Sequence, residues 1–258
     1  MTDADKTQTD EELAEGTLLS HLIELRTRLL RMAVAIFVLF VAFLPWSKEL
    51  FAMISGPLRD AVPGGKMIAT QVASPLIAPF KLTFFIALFV AMPVVLYQVW
   101  AFVAPGLYRN EKRFAFPLLA SSIVLFYLGI AFAYFAVFPL MFNFFAGVAP
   151  IGVEVQPDIS QFLDFITTIF FAFGLAFEVP IATVLLVWTG LTSPKKLASA
   201  RPYVFLGAFV VGMFLTPPDM ISQTLLAVPI YILFELGILM SRIFSIRKEE
   251  VEEAAAPE

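Results

Sequence analysis

Cysteine is absent from the 258 residues, and histidine occurs once. The first absence excludes disulfides, thiolate metal sites and a cysteine nucleophile. The second leaves no multi-histidine metal or haem cage. Charge is scarce as well: 15% of residues are Asp, Glu, Lys or Arg, against about 25% in soluble domains. Residues 1–16 are polar and acidic, without the basic start, apolar stretch and small-residue cleavage site of a secretory leader. No nucleotide-binding loop, zinc motif or Ser/His/Asp arrangement is present. The expectation is a protein that is not an enzyme, takes no cofactor and binds no nucleic acid.

What the chain has is apolar surface. Hydrophobic residues make up 60% and mean hydropathy is +0.87. Phe outnumbers Tyr 29 to 6, which suits lipid or a dry interior better than a wet interface. A spanning helix needs roughly 20 mainly apolar residues, and charge-free runs place six of them. The fold class expected is an all-α integral membrane protein with spans at about 28–47, 80–103, 115–138, 162–188, 203–216 and 221–240. The run 114–153 carries no charge and is too long for one span, so Pro139 and the Gly147/Pro150 pair are read as ending the third span. The polar tails, 1–17 and 243–258, are expected to be disordered on the cytoplasmic side.

Orientation follows from the basic residues. Lys6, Arg26, Arg28, Arg31, Arg109, Lys112, Arg113, Lys195, Lys196, Arg201, Arg242, Arg247 and Lys248 fall on one side, and Lys48, Arg59, Lys66 and Lys81 on the other. That split of 13 against 4 puts both termini in the cytoplasm. Prolines at 93, 117, 139, 180 and 229 fall within or at the ends of spans 2, 3, 4 and 6 and predict kinks and a curved, concave wall. The fifth run reaches only about 20 Å, short of the roughly 30 Å hydrocarbon core. A thinned bilayer and a re-entrant hairpin both accommodate it.

Few polar side chains interrupt the spans. Glu178 sits mid-span, where a carboxyl costs several kcal/mol unless it meets water or a polar partner. Gln223, four residues after Asp219, is either a contact for an incoming helix or a local partner of a helix start capped by Asp219. Glu235 is expected to pair with Arg242. Asp158, Ser160 and Asp164 read as the start of span 4, where acids favour a helix N-terminus. His21 reads as an interfacial or capping residue, and Gln98 and Trp100 as membrane-interface anchors. Glu24 and Arg28 stand at i, i+4, a common surface pair. Glu111 lies among Arg109, Lys112 and Arg113. Each of these acids is either a solvated loop charge or half of a carboxylate pair that grips a guanidinium ligand.

At these residues the sequence resembles the TatC family, the large multispanning subunit of the twin-arginine protein translocase. The resemblance rests on HLIELRTRLL (21–30), MIATQVASPLIAPFKLTFF (67–85), PVVLYQVWAFVAPGLYRNEKR (93–113), LFYLGIAFAYFAVFPL (125–140), FGLAFEVP (173–180) and RPYVFLGAFVVGMFLTPPDMISQTLLAVP (201–229). It implies a glove-shaped concave bundle of six helices in the bacterial inner membrane, both termini cytoplasmic, with helices 5 and 6 short. It further implies a receptor for folded cargo whose signal peptide carries two consecutive arginines. TatB-like and TatA-like single-span partners, homo- and hetero-oligomers, and transport driven by the proton-motive force come with it. Carried over, Glu24 and Glu111 would meet the twin arginines, and Arg26, Phe102 and Arg113 would shape that site. Glu178 would face the concave side. Thr216, Asp219 and Gln223 would stand at the outer end of the short hairpin, beside the partner helix. The alternative from another class is a proton- or ion-coupled small-solute transporter using Glu178.

Overall fold

The computed structural model describes residues 3–61, 67–103, 112–148, 156, 158–215 and 220–254. Side chains are described at 20–54, 67–102, 116–142, 144, 147–148, 156, 158–215 and 220–243. Among the described residues ten α-helices follow in order: α1 Asp3–Phe43, α2 Ser47–Ala61, α3 Ser74–Val103, α4 Lys112–Phe132, α5 Phe138–Val148, α6 Ile159–Ala176, α7 Val179–Trp188, α8 Pro194–Ser199, α9 Arg201–Leu215 and α10 Met220–Ala254. Among the described residues the only extended pairing is an isolated bridge between Ile68 and Asp158.

Among the described residues five stretches are long and apolar enough to cross a membrane: Ser20–Ile54, Ser74–Phe102, Phe116–Phe142, Ile159–Trp188 and Met220–Ile243. The shorter apolar helix α9 is the expected fifth span, 15 residues long. At 1.5 Å per residue it reaches about 22 Å. The sixth span is apolar over Met220–Ile243, a little longer than the 221–240 read from sequence. Helix also enters both polar tails, from Asp3 and to Ala254. Glu, Ala and Lys are good helix formers, and extending an existing helix carries no nucleation cost.

One expectation is corrected. Pro139 does not end the third span. Helix α4 continues through a π-helical turn, Ala133–Val137, into α5, and the Phe138 N–H donates to the Ala133 carbonyl five residues back. A proline in a regular helix removes one N–H and clashes with the carbonyl four residues earlier. The wider π turn just before Pro139 opens that register, so the chain passes the proline without stopping.

The chain divides into two compact units. In the first, residues 1–45 and 83–119, α1 lies along α3. Phe40 meets Phe84 edge to face with ring centres 5.9 Å apart. The opposite surface of α1 exposes Leu22, Leu29, Leu30, Phe37 and Val41. Water would penalise such a stripe, and lipid does not.

In the second unit, residues 46–82 and 120–258, α6 supplies much of the core through Phe162, Leu163, Ile166, Ile169, Phe170 and Phe173. Two close helix crossings hold the unit together. A Cβ on Gly129 would lie 2.4 Å from the Phe173 carbonyl oxygen, and one on Gly237 would lie 2.1 Å from Thr183 Oγ1. Lipid tails are as apolar as the side chains, so association in a membrane depends on such backbone approach.

The start of α6 is tied to the loop before α3. Asp158 Oδ1 accepts from the Ser160 and Gln161 amides at 2.9 and 3.2 Å, and Oδ2 accepts from the Thr70 amide and hydroxyl at 2.8 and 2.7 Å. This is an N-cap that also fastens a loop. Those four bonds, the Thr70 hydroxyl foremost, lower the carboxyl from 3.8 to about 2. A lowered carboxyl contributes stability that is full above its unfolded value near 4 and is lost as pH falls through about 2. Asp158→Ala is therefore expected to lower the melting temperature at pH 7. It should also flatten the pH dependence of melting between about pH 4 and 2. An acid melting profile unchanged from wild type would count against the tie.

Candidate functional site

The polar residues of the first unit gather where α1 and the C-terminal end of α3 meet. Arg28 is the centre. Its Nε and Nη2 donate to Glu24 Oε1 at 3.0 and 2.5 Å, Nη1 donates to Gln98 Oε1 at 3.3 Å, and Nη2 also reaches the Ala101 carbonyl at 2.9 Å. The i, i+4 spacing on α1 brings Glu24 and Arg28 together. The Ala101 carbonyl is among the last four of α3, which have no partner within their own helix, and the negative end of that helix dipole favours a cation. Glu24 keeps 36% of its side chain exposed while Arg28 keeps 16%. Beside them the His21 imidazole stacks on the Phe102 ring, centres 4.3 Å apart.

Glu24 and Phe102, both expected at the recognition site, thus flank one cluster. Arg26 is exposed on the same helix. Glu111 and the Arg113 side chain lie outside the described residues, as do Thr216 and Asp219. Two interface readings are corrected: Gln98 and Trp100 are buried, 7% and 8% exposed, and Gln98 is an acceptor for Arg28. The sequence signal for Gln98 was its place, as a lone amide in an apolar run; the partner comes from another helix.

Glu178 stands at a break in the fourth span. Helix α6 ends at Ala176 and α7 begins at Val179 with Pro180 in its first turn, so the carboxyl projects from a joint between helices. It is hydrogen-bonded to Ser122, which is fully buried. Among the described residues, Glu178 Oε1 is buried with no hydrogen-bond partner. Ser122 went unnoticed in the sequence because it sits within an apolar run. Gln223 lies on the first turns of α10, its backbone 3.4–3.5 Å from the position a Cβ on Gly212 would take. It is half-buried at the crossing of α9 and α10.

Glu235 pairs with Arg201, not Arg242. Arg201 Nε and Nη2 donate to the two carboxylate oxygens at 2.7 and 2.8 Å. The hairpin of α9 and α10 sets the first residue of one beside the middle of the other, whereas Arg242 is two turns away on the same helix. Lys81 on α3 forms an ion pair with Asp164 on α6.

A helical chain with five membrane-length apolar helices, a sixth shorter one and polar groups held at helix ends and breaks is a multispanning membrane protein. The comparisons narrow this. The family model described as Sec-independent protein translocase protein (TatC) matches residues 20–229. A Sec-independent protein translocase protein TatC from Azotobacter chroococcum is 58% identical over 240 residues, 93% of this chain and 92% of the relative. That of Escherichia coli strain K12 is 55% identical over 228 residues, 88% of each chain. A crystal structure of the twin-arginine translocase receptor TatC superposes with a TM-score of 0.79 at 35% identity, covering 86% of this chain and 98% of that one. The chain belongs to the TatC family of Sec-independent protein translocase proteins. It is a membrane-embedded translocase protein and not an enzyme.

Proposed function

We propose that the chain is the receptor subunit that binds twin-arginine signal peptides, with Glu24 and Glu111 as the carboxylates that meet the two guanidinium groups. Arg26, Phe102 and Arg113 shape the site around them. The observation that carries this reading is the Glu24 carboxylate, half-exposed and already accepting two N–H groups from a guanidinium. Carboxylates bind Arg through directed, charge-assisted hydrogen bonds that Lys matches only as a point charge. The distribution of basic residues supports a cytoplasmic site with both termini on that side, and the family supports the bacterial inner membrane as the location. Single-span TatA-like and TatB-like partners dock near Thr216, Asp219 and Gln223, with Glu178 as a polar contact within the membrane. Transport of folded cargo is driven by the proton-motive force.

The test is peptide binding to the purified full chain in lipid nanodiscs. Glu24→Ala and Glu111→Ala are each expected to weaken a twin-arginine peptide by about 10-fold or more, the worth of one charge-assisted hydrogen bond. Both proteins should insert and retain their helical content. Wild-type affinity in both would remove the assignment.

A further inference from the structure

Among the described residues, the two carboxylates that meet arginine are used differently. Glu235 gives one oxygen to each of two Arg201 nitrogens, so both of its oxygens are engaged. Glu24 receives both Arg28 nitrogens on Oε1 alone. Among the described residues no donor meets Glu24 Oε2. Arg28 itself is held on three sides, by Glu24, by the Gln98 amide oxygen and by the Ala101 carbonyl. Four N–H···O contacts use most of the five donors a guanidinium has. Two of its acceptors belong to α3, so the group is anchored to a neighbouring helix rather than swinging with α1.

We infer that Arg28, fixed by Gln98 and the end of α3, is a positioning residue for signal-peptide recognition: it locks Glu24 through Oε1 and turns Oε2 outward as the acceptor for an incoming arginine. This rests on the reading of Glu24 given above. A carboxylate free to rotate would lose side-chain entropy on binding; one held at Oε1 has already lost it. The adjacent Arg28 charge opposes any second cation, so binding depends on the directed hydrogen bonds that a guanidinium fork can make to Oε2. Selectivity for Arg over Lys would then come partly from Arg28, a residue the ligand never touches.

The experiment is a double-mutant cycle on the full chain in nanodiscs, read by fluorescence anisotropy with a synthetic twin-arginine peptide and its twin-lysine counterpart. Arg28→Gln is expected to weaken the twin-arginine peptide about 10-fold and to narrow its preference over twin-lysine. Gln98→Leu, which removes the amide acceptor while keeping a similar volume, should act in the same direction by a smaller factor. Arg28→Lys should recover part of the affinity, because charge returns without the fork. In a Glu24→Gln background, Arg28→Gln should cost nothing further, since a residue acting through Glu24 has nothing left to position. Additive losses in the double variant would overturn the proposal and make Arg28 merely structural. So would tighter binding in Arg28→Gln, which would make Arg28 a competitor for the carboxylate. If Glu24→Gln alone binds as wild type, the recognition reading falls and this inference falls with it; if only the cycle is additive, recognition stands and positioning does not.

Discussion

Gly129→Ala is expected to abolish accumulation of folded protein in the membrane, and no second-site change of a side chain should restore it. A Cβ at this position would sit 2.4 Å from the Phe173 carbonyl oxygen, 2.9 Å from its carbon and 3.0 Å from Gly174 Cα. All three are backbone atoms of α6, the helix at the centre of its unit, so relief requires α4 and α6 to move apart. Overpacking of this kind costs about 1–3 kcal/mol and more where the neighbours cannot yield. Gly237→Ala offers the informative contrast. Its Cβ would meet Thr183 Oγ1 at 2.1 Å and Pro180 Cα at 3.0 Å, and the nearer of these is a side-chain atom. Thr183→Ala should therefore rescue Gly237→Ala in part, at the cost of the hydrogen bond from Thr183 to the Pro180 carbonyl. The amount of protein in the membrane measures the first prediction, and thermal melting of the purified proteins measures the second. A Gly129→Ala protein that melts within a degree or two of wild type would show that the crossing is looser than its distances imply.

Glu178→Leu is expected to split stability from transport. The carboxyl has one oxygen bonded to Ser122 and another buried without a partner among the described residues. An unsatisfied buried polar atom costs about 1–3 kcal/mol, and removing it offsets the lost hydrogen bond to Ser122, so an apolar side chain of similar size should leave stability close to wild type. Export of a folded reporter with a twin-arginine signal should nevertheless fall to a small fraction of wild type, because ionisable groups retained at membrane depth serve a function by default. Glu178→Gln, which keeps a hydrogen-bonding partner for Ser122, should fall between the two. Wild-type export by the leucine variant would reduce Glu178 to a structural partner of Ser122. A leucine variant that fails to fold would reverse the stability argument.

Much of the architecture was legible because lipid makes composition decisive. Charge-free runs mark the apolar stretches, but not where a helix ends: the helix of the third stretch runs on to Val148, past the expected 138. The start of α3 at Ser74, six residues before the expected 80, shows the limit. Ser74 and Pro75 are a helix-start pair, and Lys81 interrupts the apolar pattern without interrupting the helix because Asp164 meets it. At the site, Glu24 and Phe102 were readable as positions but not as a cluster. Gln98, read as an interface anchor, proved to be the buried acceptor that steadies Arg28.

Sequence by itself therefore determined the solvent, the number of apolar segments, the shortness of α9 and the family, since each depends on which residues occur and in what order. The tertiary structure decided who meets whom. Arg201 rather than Arg242 holds Glu235, Thr70 holds Asp158 across 88 positions, and a π turn lets the third span run through Pro139. The reason is physical: hydropathy acts on each residue separately, whereas a hydrogen bond or a backbone crossing requires two segments whose separation along the chain says nothing of their distance in space.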